Sequence, residues 1–160
     1  MAAKLTPDMK RVVTNQRLAF AATVCPDGTP NVSPKGTIAV WDDEHLVFAD
    51  VRSPGTIANL RENPAIELNV VDPFVRKGYR FKGTAEIITK GARFEEIMSF
   101  YRGRWVDAAK RKPESRIRGF VLVQVEQALP LISPAYDDAS CDEQSIRERW
   151  ISYFATLNGQ

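Results

Sequence analysis

Six short runs of strand-forming residues constrain this chain more than any other feature. They span residues 17–24, 31–40, 45–49, 65–71, 79–88 and 119–125. In the fourth run, Ile66, Leu68 and Val70 alternate with polar residues, which is the period of a strand with one buried face. The first run is mostly apolar, so we expect it to be buried on both faces. Because most of the connections are short and βαβ units are absent, the pattern predicts a mainly β (α+β) fold, a small antiparallel barrel with peripheral helices.

Two cap-then-proline signals predict helices. Thr6-Pro7 begins one that we expect to end near Gln16, and Ser53-Pro54 begins another that we expect to end near Glu62. Ser53 is the predicted N-cap of the second helix. Any anion near Ser53 would meet the free backbone N–H groups of that helix terminus as well as the hydroxyl.

Two further helices are predicted from apolar residues at helical spacing. One carries Phe94, Ile97, Met98 and Tyr101, and we expect it to end at Gly103. The other closes the chain, with Ile146, Trp150, Tyr153 and Leu157 on one face.

Composition indicates a single domain over residues 1–160, with 44% hydrophobic residues. The net charge of +2 is too small to favour nucleic acid as a bulk partner. Cys25 and Cys141 fit neither a metal-ligand spacing nor a disulfide framework, and we expect reduced thiols. We see no apolar run of signal-peptide or membrane-span length, so we expect a cytoplasmic protein with no membrane association.

Hydroxyl and cationic side chains cluster in the hairpin that precedes the second helix. Lys35 lies in the second strand between Pro34 and Gly36, which suggests a bulge or a close approach of the backbone to a ligand. Folding the hairpin would gather hydroxyls, one amine and one guanidinium, from Ser33, Lys35, Thr37, Arg52, Ser53 and Thr56. This combination predicts a site for a phosphate-bearing cofactor.

The order of five motifs resembles the FMN-binding split-barrel family related to pyridoxamine 5′-phosphate oxidase. The motifs are Asp27-Gly28-Thr29-Pro30, Ser33-Pro34-Lys35-Gly36, Leu46–Asp50, Ser53 with Asn59-Leu60 and Asn63-Pro64, and Lys82–Glu86, within about residues 10 to 126. The resemblance implies a six-stranded antiparallel split β-barrel. It also implies a homodimer with FMN in each cleft between the subunits.

The resemblance also implies a set of contacts. The strand from Ser33 to Ile38 would contact the flavin ring and phosphate, the segment from Ala49 to Thr56 would close over the phosphate, and the second subunit would contribute residues near Gly78–Arg80. The residues predicted to bind the cofactor are Ser33, Lys35, Gly36, Thr37, Asp50, Arg52, Ser53, Thr56, Asn59, Tyr79 and Arg80.

The chain departs from the true oxidase in its phosphate and substrate motifs. Ser33 stands where that enzyme has an arginine, and Pro54-Gly55-Thr56 replaces its Ser-Arg-Lys. The C-terminal Arg-x-His substrate motif has no counterpart around residues 146–150. We therefore do not expect oxidation of pyridoxamine phosphate, and Lys35, Arg52 or an arginine of the second subunit would have to take over the phosphate.

The first hypothesis is an FMN-dependent oxidoreductase that takes hydride from a reduced nicotinamide or a small substrate. A non-catalytic flavin-binding or sensor protein is the second, and related barrels that bind deazaflavin or haem remain open. A nucleic-acid-binding barrel, using the basic residues of 102–118 and Trp105, is the weakest. The single histidine, His45, is expected to be solvated, and no metal site and no catalytic residue are assigned.

Overall fold

A computed structural model describes residues 4–104 and 113–158. Within them the helices are α1 (Pro7–Gln16), α2 (Pro54–Glu62), α3 (Ala92–Arg104) and α4 (Glu143–Leu157). The strands are β1 (Ala19–Val24), β2 (Pro30–Lys35), β3 (Ala39–Val40), β4 (His45–Asp50), β5 (Ala65–Asp72), β6 (Lys77–Ile88) and β7 (Gly119–Ile132). No helix in this part of the chain is both long enough and apolar enough to cross a bilayer.

All seven strands form one antiparallel sheet in the order β2-β1-β5-β6-β7-β4-β3. The sheet is strongly curled, and the pairing of the long strands β6 and β7 shifts register between Lys82 and Gly83. A Cβ at Gly83 would lie 1.9 Å from the Gln124 carbonyl oxygen, so glycine is required at this bulge. The predicted antiparallel split barrel with peripheral helices is confirmed.

The strand count differs from the prediction because the second run forms two strands. Its first part, β2, pairs with β1, and its last part, β3, pairs with β4. These two strands lie at opposite ends of the strand order, so residues 36–38 connect the two edges of the sheet. Gly36 is exposed at this crossing, immediately after Lys35. The change of partner, which no local pattern marks, therefore places Lys35 at the end of an edge strand.

Two hydrophobic cores explain the apolar runs. The barrel interior contains Leu46, Phe48 and Phe81, whereas Val47 and Phe120 belong to a second core under α3. Strands β4 and β7 lie between the cores and are buried on both faces over residues 46–50 and 119–123. The prediction that β1 is buried on both faces is wrong. Its residues alternate between buried and exposed because only one of its faces is covered.

Three other predicted details differ. Helix α3 continues through Gly103 to Arg104, and β7 runs on to Ile132. Strand β7 pairs with β4 only over residues 119–124, so Pro130 lies where that edge of the strand is open and proline is tolerated. On the predicted face of α4 Ile146 is buried, but Tyr153 and Leu157 are half-exposed.

Candidate functional site

The last residue of β2, Lys35, is a buried lysine, with only 3% of its surface exposed. Its Nζ donates hydrogen bonds to Ser33 Oγ at 2.6 Å, Ser53 Oγ at 2.8 Å and Thr56 Oγ1 at 3.2 Å. Register and helix position bring these groups together, since Ser33 is two residues back on the same strand and Thr56 lies in the first turn of α2. We call these four residues the Lys35 cluster.

The three hydroxyls of the cluster act as acceptors towards Lys35. An ammonium group has three protons, and those of Lys35 are all used on the three hydroxyl oxygens. Each hydroxyl therefore keeps its own proton to donate. In residues 4–104 and 113–158, none of the three donates that proton to a protein acceptor. The cluster thus presents three O–H donors polarised by one cation.

The charge of Lys35 is weakly compensated. Burial lowers the pKa of Lys35, and the nearby Asp50 carboxylate opposes this by raising it. No carboxylate of the described residues lies within 4 Å of Nζ, and the Phe48 ring centre lies 5.7 Å away. Because a desolvated cation favours a nearby anion, the arrangement is suited to an anionic ligand.

The start of α2 adds backbone donors. Ser53 occupies the N-cap position as predicted, but its hydroxyl makes no capping hydrogen bond. Its backbone, at φ −134° and ψ 50°, is outside the extended region of most N-caps, and its oxygen accepts from Lys35 instead. The N–H groups of Gly55 and Thr56 have no acceptor within the described parts of the chain. They remain available to an anion, as at other helix N-termini.

Of the predicted cofactor residues, Ser33, Lys35, Ser53 and Thr56 form the cluster itself. Asp50 borders it, where Asp50 Oδ1 accepts the Ser53 N–H at 3.2 Å and so fixes the loop that enters α2.

Arg52 also borders the cluster, exposed in the loop between β4 and α2, and its guanidinium forms no ion pair with a described residue. It is therefore a free cation beside the helix terminus.

Three predicted residues do not point into the cluster. The Thr37 hydroxyl accepts the Ala49 N–H at 2.9 Å, so it holds the 36–38 crossing against β4. Gly36 is exposed and offers backbone only. Asn59 is buried against β1, where Nδ2 donates to Thr23 Oγ1 at 2.9 Å. The i, i+3 relation of Thr56 and Asn59 therefore does not make them neighbours in one site.

Tyr79 and Arg80 lie on β6, away from the cluster of their own chain. The Tyr79 hydroxyl donates to Asp8 Oδ2 at 2.6 Å, which raises the pKa of Tyr79 and lowers that of Asp8. Arg80 forms an ion pair with Glu67 at 2.9 Å. Their predicted role required a second subunit and stays a prediction.

Sequence reasoning missed the residues around the crossing. A small cleft of about 90 Å³ beside Gly36 is lined by Arg17 and Arg104, among others. Arg17 ends α1 in the left-handed conformation, with φ 51°, and Tyr101 donates to the Thr37 carbonyl at 2.6 Å. No local signal could identify these contacts because they join residues more than 60 positions apart or depend on the helix end. Trp105 and the basic residues of 105–112 lie outside the described residues.

His45 is the first residue of β4, and its Nδ1 is 2.8 Å from Asp42 Oδ1. It is not part of the Lys35 cluster. Across residues 4–104 and 113–158, no group of three His, Cys, Asp or Glu side chains is arranged to hold a metal ion.

Comparison with known proteins gives the same fold. The pyridoxamine 5′-phosphate oxidase family model matches residues 5–131. An uncharacterised protein of Methanocaldococcus jannaschii is 32% identical over 132 residues, 81% of this chain and 83% of that one. The crystal structure of HupZ from Group A Streptococcus is 33% identical, with a TM-score of 0.69 over 81% of this chain and 95% of that one. An FMN-binding protein from Syntrophomonas wolfei is 16% identical, with a TM-score of 0.60 over 77% and 84% of the two chains. The chain therefore belongs to the pyridoxamine 5′-phosphate oxidase family.

Proposed function

We propose that this protein is an FMN-dependent oxidoreductase acting on a small molecule, with the FMN phosphate held at the Lys35 cluster. The observation that carries the proposal is the buried Lys35 ammonium, which donates all its protons to three hydroxyls that have no further acceptor among the described residues. A buried ammonium group of this kind destabilises the fold unless an anion lies beside it. The FMN-binding relative from Syntrophomonas wolfei, which shares the fold, supports the choice of ligand.

The residues present fit a phosphate group. A phosphate monoester carries nearly two negative charges and several acceptor oxygens. The cluster offers one desolvated cation and three O–H donors, the start of α2 offers the N–H groups of Gly55 and Thr56, and Arg52 offers a second cation. In this arrangement Lys35 acts mainly by charge and by polarising the hydroxyls, because its own protons are already donated.

FMN supplies the hydride and electron transfer when bound, so the protein has to hold and orient the cofactor and shape the electron-donor site. The expected donor is a reduced nicotinamide or a small reduced substrate. Oxidation of pyridoxamine phosphate is not proposed, because the residue at position 33 is serine and α4 lacks the substrate motif.

A non-catalytic flavin protein is the second candidate, and one observation favours it. The titratable side chains at the cluster are Lys35 and Asp50, and their hydrogen bonds to the three hydroxyls and to the Ser53 N–H are binding and positioning contacts that assign no proton-transfer step. Turnover separates the two candidates, whereas cofactor binding is common to both.

Titration of cofactor-free protein with FMN and with riboflavin tests the phosphate assignment. We expect FMN to bind about 100-fold more tightly than riboflavin, a difference of about 2.8 kcal/mol, because riboflavin lacks only the phosphate. Flavin fluorescence reports the binding. Equal affinities for the two flavins would contradict the site. Anaerobic bleaching of bound FMN by reduced nicotinamide would support the enzyme, and FMN binding without bleaching by any donor tried would favour the non-catalytic candidate.

A homodimer is the second part of the proposal. On the outward face of the sheet, large apolar side chains from neighbouring strands share one surface. They are Phe20, Val24, Val32, Val71 and Leu129, exposed by 38–61%. Surfaces of this kind mark association sites in proteins.

The same face contains an unsatisfied polar atom. Asn69, directly opposite Phe20 in the sheet, has a buried Oδ1 with no hydrogen-bond partner in residues 4–104 and 113–158. A second copy of the chain is the occupant that the family resemblance implies. It would cover the apolar groups and bring a donor to Asn69.

Val32→Arg tests this interface. Val32 is 61% exposed, so arginine is tolerated in one chain, but a second copy would desolvate the unpaired guanidinium. We expect the variant to be a monomer by light scattering where the parent protein is a dimer. Ile151→Arg, on α4 and 49% exposed, is the matched control that should leave the dimer intact. A monomeric parent protein, or a dimer unaffected by Val32→Arg, would contradict the proposed face.

We place the protein in the cytoplasm as part of this proposal. Cys25 and Cys141 are both free thiols, which suits a reducing compartment.

A further inference from the structure

A further cavity lies between the β5–β6 turn and α4. It has a volume of about 330 Å³, and its lining includes Arg76, Arg149, Trp150, Cys141 and three serines. It shares no residue with the Lys35 cluster. The residues in its lining do not include aspartate or glutamate. The charged residues of the lining are therefore both arginines.

Arg76 is held in a strained position at this cavity. Its φ of 55° is in the left-handed region, which disfavours side chains other than glycine and asparagine. Two backbone hydrogen bonds fix it there, from Arg76 N to the Asp72 carbonyl at 2.8 Å and from Ser133 N to the Arg76 carbonyl at 3.1 Å. The Arg76 guanidinium carbon lies 3.6 Å from the centre of the Trp150 ring. The side chain is thus fixed by the backbone and by stacking.

The guanidinium of Arg76 also lacks an acceptor. Its Nε is buried and has no hydrogen-bond partner in the described residues. A buried donor without a partner is destabilising by about 1–3 kcal/mol in proteins generally, and ligand-binding positions are where such donors are retained. The strain and the unsatisfied donor occur in the same residue and at the same cavity.

Arg149 supplies a second uncompensated cation. Its guanidinium lies 5.9 Å from the Trp150 ring centre, and neither Arg149 nor Arg76 has a carboxylate partner within 4 Å in the described chain. Two neighbouring cations, in contrast, are paired with carboxylates. Arg147, two residues away on α4, is 3.5 Å from Asp72, and Lys77, next to Arg76, is 3.3 Å from Glu143.

The nearby acids Asp142 and Asp138 are hydrogen-bonded to serines of the lining, and neither forms an ion pair with Arg76 or Arg149 within the described residues. Asp142 Oδ1 accepts the Ser145 N–H at 2.8 Å, and Asp138 Oδ1 accepts the Ser140 N–H at 2.9 Å. Ser133 Oγ accepts the Ala135 N–H at 3.3 Å and so keeps its own proton to donate. The side-chain donors left over at the cavity therefore include two guanidiniums and the Ser133 hydroxyl.

We propose that this cavity binds the phosphate group of a small phosphate monoester, separately from the flavin site. Two guanidiniums balance a dianion, whereas a carboxylate would leave one positive charge uncompensated. The volume beyond the phosphate, lined partly by Ile146 and Ala135, accommodates an apolar ester group. The ligand class is thus a phosphorylated metabolite of modest size, and the assignment stands whether or not FMN binds at Lys35.

Calorimetry with phenyl phosphate as the probe tests this site. The experiment uses the Lys35→Met protein, so that the Lys35 cluster does not contribute. We expect one binding site, weakened at least tenfold by Arg149→Gln and by less than twofold by Arg147→Gln, the control with the same charge change on the same helix. Absence of binding, or equal weakening by the two variants, would overturn the proposal. Benzoate binding as tightly as phenyl phosphate would overturn the preference for a dianion.

The reactivity of the Cys141 thiol reports where phenyl phosphate binds. In the Cys25→Ser background, Cys141 is the remaining thiol of the sequence and lies in the cavity lining. Saturating phenyl phosphate should slow its reaction with a thiol reagent at least fivefold, and phenol should not. Calorimetric binding without this protection would place the phosphate elsewhere and overturn the site.

Discussion

Lys35→Met is expected to weaken FMN binding at least about 100-fold, which corresponds to about 2.8 kcal/mol. Methionine keeps an unbranched side chain, shorter by one atom, in the 3%-exposed position but removes the charge proposed to face the phosphate. It also releases Ser33, Ser53 and Thr56 from the ammonium that polarises them. Loss of a desolvated partner from a charged hydrogen-bonded pair typically has an effect of 2–5 kcal/mol or more. Fluorescence titration with FMN measures it.

The same variant should leave the cofactor-free protein about as stable as the parent. Burial lowers the pKa of Lys35, which means that the fold disfavours its charged form. Removing the charge therefore stabilises the fold, and losing the three hydrogen bonds of Lys35 destabilises it, so the two effects oppose each other. Thermal unfolding of the two apoproteins checks this. Lys90→Met, at an exposed turn position, is the control for general charge loss and should change neither property. An unchanged FMN affinity in Lys35→Met would remove the cluster from the cofactor site.

The affinity for FMN is expected to fall as pH rises, beginning below the ordinary lysine pKa of about 10.4. The sign follows from Lys35. Burial lowers its pKa in the free protein, whereas a bound phosphate favours the charged form and raises it. Between these two values, binding takes up one proton, and the affinity should decrease about tenfold per pH unit. Above both values Lys35 is neutral in either state, and the affinity should level off.

Titrations at a series of pH values between about 7.5 and 11 measure this profile. The FMN affinity of the Lys35→Met protein should not change over the same pH range, apart from the effect of ionisation of the flavin itself. That effect is common to both proteins and cancels when their profiles are compared. A parent profile parallel to that of Lys35→Met would show that Lys35 does not titrate against the phosphate. Proton uptake measured by calorimetry in buffers of different ionisation enthalpy gives the same information independently.

Some elements of the fold can be predicted from sequence and others cannot. Alternation in β5 and the caps at Thr6 and Ser53 are local signals, and the predicted elements are present with nearly the predicted bounds. The continuous apolar runs of β4 and β1 look alike in sequence, yet β4 is covered on both faces and β1 on one. Burial depends on whether α3 covers the strand, which is a property of the tertiary structure.

The candidate site also has some features that sequence predicts and others that depend on the fold. Local sequence places hydroxyls, an amine and a helix start close along the chain, from residue 33 to residue 56, and so predicts an anion site there. The fold adds the burial of Lys35 with three hydroxyl partners, the separate hydrogen bonds of Thr37 and Asn59, and the position of Arg76 and Arg149 in the lining of another cavity. These two kinds of information differ in range. Caps and periodicity act within a few residues, whereas the burial of a charge and the placing of side chains 73 positions apart in one lining depend on how the sheet curls and where the helices pack.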